Sequence, residues 1–181
     1  TTVSVPEMFR YWLQGGRISI GFLGAAQLDR FGNINTTVIG DYRKPKVRLP
    51  GSGGANDIIS LCREVIILTV HEKRRFSDTV DFITSPGWLS GRDARRKSGL
   101  LFGGVGRVVT TMGVFGFDPE SRQMRLQALH TGVSVDEVNA AVAQGKACIA
   151  FQWIAASGGL LDPEQSTLGS TPEEIQTKLG F

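Results

Sequence analysis

Two apolar runs along the chain have the length of buried strands. Residues 18–27 and 64–70 show no alternation of polar and apolar positions, which is typical of strands covered on both faces. Residues 36–40 form a shorter extended pattern after a turn rich in Asp, Gly and Asn. The apolar stretch at 56–62 is long enough for about two helical turns. This order of strand, loop, helix and strand predicts a layered α/β sheet with the first run as a central strand.

The next part of the chain predicts an antiparallel strand pair and a capped helix. Residues 107–118 and 123–130 are β-branched or alternating runs separated by "PESR", the pattern of a hairpin or meander. Ser134 is followed three residues later by Glu137, which forms a capping box at a helix start. Gly145 fits the end of that helix.

The end of the chain predicts a loop and a further helix. Residues 155–170 are rich in Gly, Ser and Pro, and Thr171 with Pro172 supplies an N-cap and a proline at the first helical position. We therefore expect one domain over residues 1–181, with residues 155–181 as its C-terminal loop and helix.

Composition limits the classes of function. With 41% hydrophobic and 20% charged residues, the 181-residue chain has enough apolar side chains for one core. A net charge of only +3 argues against a nucleic-acid-binding surface but suits an anionic ligand. Cys62 and Cys148 lack metal-ligand spacing, which predicts core thiols in a reducing cytoplasm. No apolar run approaches the roughly 20 residues of a membrane span, so no membrane association is expected.

Glycine is the unusual residue. The chain has 23 glycines, and three of them lie in "RLPGSGGANDI" at residues 48–58. Backbone N–H groups of a glycine loop that leads into a helix form a concave donor site that favours an anion. Three interpretations stay open: a phosphate cradle, a site that stabilises the oxyanion of an acyl-transfer reaction, or a tight turn that needs glycine for sterics alone.

Three stretches resemble the B (beta) subunit of class I coenzyme A (CoA) transferases, in particular glutaconate CoA-transferase. They are "GFLGAAQLDRFGNINTTVIGDYRKPKVRLPGSGGANDI", "HEKRRFSDTVDFITSPGW" and "LHTGVSVDEV", within residues 21–138. The most specific signals are "GAAQLDRFGNIN", the Gly-x-Gly-Gly-Ala-x-Asp pattern at 51–57, and "TSPGW". The resemblance implies an α/β fold with an open, mostly parallel sheet flanked by helices. It also implies a hetero-oligomer in which a homologous A (alpha) subunit shares the active site.

The resemblance assigns roles to the glycine loop. The backbone amides of Gly54 and Ala55 would form the oxyanion hole for a CoA thioester. The residues that would line the pocket for the acyl-CoA substrate are Gln27, Gly24, Ala26, Gly51, Ser52, Gly53 and Asn56. A small (di)carboxylic acid such as glutaconate would accept CoA, and neither a metal nor a tightly bound cofactor is expected.

The nucleophile of the family has no counterpart in this sequence. In the family, a glutamate that attacks the thioester lies in an N-terminal strand-helix segment, and no residue here matches that motif. The chain therefore reads as a B-type domain without that segment. Two alternatives to a transferase stay open: a related hydrolase or decarboxylase that lacks the glutamate, acting for example on a glutaconyl-CoA-type thioester, or a non-catalytic structural subunit.

Other ionisable residues receive structural interpretations. Glu72 in "HEKRR" is expected to pair with Arg74 or Arg75. His71 and His130 have no acid spaced for a catalytic triad, so neither is expected to act in catalysis.

Overall fold

The computed structural model describes residues 2–100 and 102–142. The helical segments are α1 (Val5–Glu7) with a π-helix that continues it (Met8–Leu13), α2 (Ala55–Leu61), a 3-10 turn (Lys73–Arg75), α3 (Ala94–Lys97) and α4 (Val135–Val142). The strands are β1 (Ile20–Gly24), β2 (Gln27–Asp29), β3 (Ile34–Asn35), β4 (Val38–Gly40), β5 (Pro45–Arg48), β6 (Glu64–Leu68), β7 (Phe76–Ser77), β8 (Val105–Val109), β9 (Gly113–Phe117) and β10 (Met124–Leu129). The predicted helix end at Gly145, the loop at 155–170 and the helix from Thr171 lie outside the described residues.

Within the described residues, the main sheet has five strands in the order β1-β6-β8-β9-β10. β6 pairs in parallel with β1 on one side and β8 on the other. β9 is antiparallel to both β8 and β10, which confirms the predicted hairpin or meander. β10 consequently runs in the same direction as the three parallel strands, and only β9 opposes them.

The shorter strands form two small sheets in the described chain. β2, β3, β4 and β5 lie between β1 and α2 in the sequence, and β7 lies after β6. β2 pairs antiparallel with β3 and parallel with β7, and β4 pairs antiparallel with β5. The chain thus leaves the carboxyl end of β1, forms β2 to β5, and enters α2 through the glycine loop. Because β1 and β6 are parallel, α2 is a crossover helix whose first residues lie toward the carboxyl ends of the strands.

The core lies between α2 and one face of the main sheet. Ile67, Phe115 and Ile59 are fully buried, and each such side chain contributes about 1.5–3 kcal/mol. Gly21 allows α2 to approach β1, because a Cβ there would lie 2.6 Å from the Ile58 side chain. Cys62 is 1% exposed, as predicted for a core thiol, and burial raises the pKa of its sulfur.

β1 differs from its sequence-based prediction. Among the described residues it is an edge strand, not a central one, because it pairs with β6 alone. Ile20, Phe22 and Leu68 on the face away from α2 are 49%, 61% and 50% exposed. An apolar run without alternation indicates that both faces are suited to burial, but it does not show which segment covers the second face.

The capping box at α4 is confirmed. The Glu137 backbone N–H donates to Ser134 Oγ at 3.2 Å, and the Ser134 backbone N–H donates to Glu137 Oε2 at 2.8 Å. The bond from the Ser134 N–H also holds the pKa of the Glu137 carboxyl below its usual range. These bonds fix where α4 begins, so that Val138 and Val142 face the core.

His71 connects α4 to the sheet and makes the stability of the fold depend on pH. Its ring is 6% exposed, stacks on Phe115 at 5.6 Å, and lies 3.1 Å through Nε2 from the Val138 carbonyl oxygen. Burial lowers the pKa of this imidazole below its ordinary value of 6.5. The unfolded chain therefore binds the proton more tightly, and the free energy of unfolding should fall as pH drops below about 6.5.

Urea denaturation between pH 5 and 7 checks this expectation, since one proton gives a slope of at most about 1.4 kcal/mol per pH unit. The His71→Gln variant keeps a donor but does not titrate, so its slope in this range should be smaller than that of the parent. Equal slopes in parent and His71→Gln would contradict the assignment.

Candidate functional site

The glycine loop has a backbone shape that only glycine adopts easily. Gly51 has φ +94° and Gly53 has φ +50°, both in the left-handed region. The Gly51 backbone N–H donates to the Thr36 carbonyl oxygen at 2.8 Å, and Thr36 Oγ1 donates to the Gly51 carbonyl oxygen at 2.8 Å. The loop is therefore held to the segment before β4 by a reciprocal pair of hydrogen bonds.

The amides of the loop divide into engaged and available donors. The Ala55 N–H donates to the Ser52 carbonyl oxygen at 2.9 Å, and the Asn56 N–H donates to Ser52 Oγ at 3.1 Å. Neither Gly53 nor Gly54 has a hydrogen-bond acceptor for its N–H within the part of the chain that the structure describes. Of the two amides that the sequence assigns to an oxyanion hole, Gly54 is available, whereas Ala55 closes the turn that begins α2.

Gly54 also lacks room for a side chain. A Cβ at this position would collide with Cζ of Phe9 and would lie 2.7 Å from Cε1 of the same ring. Phe9 belongs to the π-helix that follows α1 and packs against the core. The aromatic ring therefore covers one side of Gly54, and the loop needs glycine here for close packing as well as for an accessible backbone.

The loop lies on the open surface of the described chain. Gly53 is exposed, and Gly51, Ser52, Gly54 and Ala55 are half-buried. Cavities of about 860 and 290 Å³ exist elsewhere, and neither is lined by residues 51–56.

A buried network of polar side chains adjoins Thr36, the residue that holds the glycine loop in place. The Asn35 side chain donates to Gln27 Oε1 at 2.8 Å and to the Val38 carbonyl oxygen at 2.6 Å. Gln27 Oε1 also accepts from the Asp81 backbone N–H at 2.9 Å, and Gln27 Nε2 lies 3.4 Å from Asp81 Oδ2. Gln27 is 8% exposed, and its amide connects β2 to Asn35 and Asp81, while its place in an acyl-CoA pocket stays a prediction from the resemblance.

A second part of the network centres on Asp29 and Asn33. Asp29 accepts from the backbone N–H groups of Phe31 and Asn33 and, at 2.8 Å, from the Asn33 side chain. Asn33 Oδ1 accepts from the backbone N–H groups of Gly87 and Leu89. Burial raises the pKa of the Asp29 carboxyl, although these hydrogen bonds oppose that shift. Asn33 of "GNIN" thus joins the small sheet to the "TSPGW" segment at Gly87.

Thr84 joins this network to the glycine loop. The Asn56 side chain donates to the Thr84 carbonyl oxygen at 3.0 Å, and Thr84 Oγ1 accepts from the Thr36 N–H at 2.9 Å. Asn56 Oδ1 accepts from Ser60 Oγ at 3.3 Å, so its side chain also serves the helix. Sequence spacing does not identify Thr84 as a residue that supports the loop. Its place in the "TSPGW" segment, one of the stretches that carry the resemblance, is the signal that could have indicated this role.

The remaining residues assigned to the substrate pocket lie at the carboxyl end of β1. Gly24 is exposed and Ala26 is half-buried. Their position after β1 places them toward the same end of the parallel strands as the loop before α2. This is the end where open α/β sheets bind ligands.

The carboxylates of Glu72 and Glu64 are engaged in ion pairs. Glu72 pairs with Arg74 at 2.5 Å and lies 3.9 Å from Arg75, which confirms the predicted pairing. Glu64 pairs across strands with Arg107 at 3.2 Å. Within residues 2–100 and 102–142, no helix is long and apolar enough to cross a bilayer, and no cluster of three His, Cys, Asp or Glu side chains could hold a metal.

Comparison with known proteins agrees with this geometry. The family described as Coenzyme A transferase matches residues 2–141. The B (beta) subunit of 3-oxoadipate CoA-transferase from Pseudomonas knackmussii is 51% identical over 138 residues, which are 76% of this chain and 53% of that polypeptide. The corresponding subunit of glutaconate CoA-transferase from Acidaminococcus fermentans is 43% identical over 134 residues, 73% of this chain and 49% of that polypeptide.

A solved structure shows the same fold. The crystal structure of glutaconate CoA-transferase from Acidaminococcus fermentans matches with a TM-score of 0.66 and 41% identity, over 75% of this chain and 52% of that chain. This match confirms the predicted α/β fold class. The chain spans about half the length of the curated relatives it matches. The matched residues nevertheless include β1, the glycine loop and α2, and the chain belongs to the coenzyme A transferase family.

Proposed function

We propose that the chain provides the B-type half of an enzyme that transfers CoA from an acyl-CoA thioester to a small dicarboxylic acid. The single observation that supports this proposal most directly is the available N–H of Gly54 in a loop whose shape is fixed by Thr36 and Ser52. The names of the relatives, 3-oxoadipate and glutaconate CoA-transferases, suggest a dicarboxylate of five or six carbons as the acceptor.

In this proposal, the loop acts on charge that develops at the thioester carbonyl. A carboxylate attacks the carbonyl carbon, the carbonyl oxygen becomes negative in the tetrahedral intermediate, and the CoA thiolate leaves with the electrons of the C–S bond. The Gly54 N–H donates to that oxygen, and the Gly53 N–H, which also has no acceptor in the described chain, is the second candidate donor. Donors of this kind stabilise the intermediate because they need no reorientation during the reaction.

The nucleophilic carboxylate is proposed to come from outside the described residues. Glu64 and Glu72 are paired with Arg107 and Arg74, so their oxygens are directed at guanidinium groups. Assembly with a homologous A-type subunit would place a second surface over the loop. The half-buried to exposed loop and the subunit names of the relatives support this hetero-oligomer.

Exchange kinetics of the assembled complex test the proposal. With glutaconyl-CoA or 3-oxoadipyl-CoA as donor and the other acid as acceptor, we expect CoA to move between the acids with ping-pong kinetics. Omission of the acceptor is the control, and in its absence no free thiol should accumulate. Continuous thiol release without acceptor would identify a hydrolase, and full activity of the assembled complex with Gly54→Val would identify a structural subunit, so either result overturns the transferase assignment of this chain.

A further inference from the structure

A cavity of about 860 Å³ lies away from the glycine loop and is lined by five arginines. It is enclosed by the segment around α3 and by the turn between β9 and β10. The arginines are Arg92, Arg95, Arg96, Arg122 and Arg125. Three carboxylates, Asp93, Asp118 and Glu120, share the lining. A cavity of this volume accommodates a small organic ligand.

The cavity is near the last residues of α2, whereas the glycine loop is near the first. Arg95 Nη2 donates to the Ile59 carbonyl oxygen at 2.7 Å, and a Cβ on Gly103 would touch the Cys62 carbonyl oxygen. The seven residues of α2 separate these two ends by about 10 Å. The arginine-lined cavity is therefore a separate feature, and the inference drawn from it does not rest on the proposed function.

The positive charges of the cavity are only partly compensated. Asp93 pairs with Lys97 at 3.0 Å, and Asp118 pairs with Arg125 at 2.8 Å. Glu120 lies at the same turn and is exposed. Arg92 and Arg96 are exposed and have no carboxylate within 4 Å among the described residues.

Two further arginines add positive charge without using a carboxylate. The buried Arg95 donates only to backbone carbonyl oxygens in the described chain, at the Ile59, Pro86, Gly87 and Phe102 positions. The Arg122 guanidinium lies 4.4 Å from the centre of the Trp88 ring, a cation–π contact. All five N–H donors of Arg95 are used within the fold, so the lining guanidinium groups available to an anion in the described chain are those of Arg92, Arg96 and Arg122. Guanidinium groups bind phosphate oxygens in pairs.

The backbone of the cavity wall is strained. Arg92 and Arg122, which line the cavity, have φ values of +47° and +60°. With Leu89, which has φ +56° and does not line the cavity, they are the non-glycine residues with positive φ in the described ranges. The Arg92 N–H donates to the Ser121 carbonyl oxygen at 3.2 Å, and the Arg122 N–H donates to the Asp118 carbonyl oxygen at 3.0 Å. Strain of this kind is concentrated at ligand-binding sites, where it fixes the direction of side chains.

We propose that this cavity binds a small molecule with a diphosphate group, either free or as part of a nucleotide. Two adjacent phosphates match the several guanidinium groups better than a single carboxylate, because each phosphate accepts a bidentate pair. The cavity is also larger than an isolated anion requires, and the Trp88 ring offers an aromatic edge for a base.

Calorimetric titration of the full chain, purified with the subunit that it assembles with, tests this proposal. The probes are inorganic pyrophosphate, ADP and, as a carboxylate comparison, citrate at matched ionic strength. We expect pyrophosphate and ADP to bind and citrate to bind at least tenfold more weakly. Equal affinities for pyrophosphate and ADP indicate a free diphosphate as ligand, whereas tighter binding of ADP indicates a nucleotide.

A double variant that removes two positive charges tests whether the diphosphate binds in this cavity. Arg92→Gln/Arg96→Gln removes two exposed guanidinium groups and keeps the backbone hydrogen bonds, so it should weaken pyrophosphate binding at least tenfold. Arg10→Gln removes an exposed charge from the π-helix and should change binding less than twofold. The proposal is overturned if neither diphosphate binds below about 10 mM, if citrate binds as tightly, or if the double variant and Arg10→Gln have the same affinity.

Discussion

Replacement of the Gly54 amide by an ester is expected to lower kcat of the proposed transferase, assembled with its A-type subunit, by about 100- to 1,000-fold. Incorporation of glycolate at position 54 converts the N–H into an oxygen and leaves the shape of the loop unchanged. The Gly54 N–H has no acceptor in the described chain, so the ester should not affect folding. A preorganised donor to a developing oxyanion is worth about 2.7–4 kcal/mol, which corresponds to this loss of rate.

The control places the same ester at Gly132, an exposed glycine with φ +80° in the turn before α4. The rates of CoA exchange by the Gly54 ester variant and the Gly132 ester variant, measured with saturating acyl-CoA and acceptor acid, should differ by about 100- to 1,000-fold. A Gly54 ester within twofold of the Gly132 ester would show that this amide does not contact the oxyanion. Gly54→Ala is a less informative change, because the added Cβ would displace the Phe9 ring.

Arg95→Met is expected to reduce the free energy of unfolding by about 3–5 kcal/mol. The guanidinium makes five hydrogen bonds to four backbone carbonyl oxygens, at distances from 2.6 to 3.2 Å. Methionine fills a similar volume but leaves those buried acceptors without a donor. Burial lowers the pKa of Arg95 to about 10, which keeps the side chain charged at neutral pH.

Arg96→Met is the matched control, since Arg96 is the next residue and is exposed. Urea denaturation should show a change of about 0.5 kcal/mol or less for this control. Arg95→Lys keeps the charge but supplies fewer donors, so its stability should lie between those of the parent and Arg95→Met. If Arg95→Met and Arg96→Met unfold at the same urea concentration, the four carbonyl contacts do not stabilise the fold.

Sequence patterns predict the helices and strands themselves better than they predict which segments lie beside each of them. The capping box at Ser134 and the antiparallel pair around residues 119–122 depend on local hydrogen bonding, and both are confirmed. The position of β1 depends on which segment lies beside it, and hydrophobic periodicity contains no information on that neighbour. Periodicity therefore predicts the run at 18–27 at the centre of the sheet, although β1 is at the edge of the described sheet.

In the candidate site, too, the local pattern is predictable from the sequence and the contacts between distant residues are not. The glycines at 51, 53 and 54 indicate an exposed backbone, and two of them have the positive φ that a side chain disfavours. The supporting contacts of Asp81, Thr84 and Phe9 involve residues far apart in the sequence, so spacing alone does not identify them. Arg95 lies in "GRDARRKSG", where it resembles its exposed neighbours, and only the fold separates the buried arginine from the others.

The free edge of β1 has a practical consequence for handling the protein. Its N–H and C=O groups on one side lack a neighbouring strand in the described chain, and Phe22 beside them is 61% exposed. Such an edge pairs readily with another copy of itself when its natural neighbour is missing. Production of the chain by itself should therefore favour insoluble material, and co-expression with the A-type subunit that we propose as its partner should improve the recovery of soluble protein.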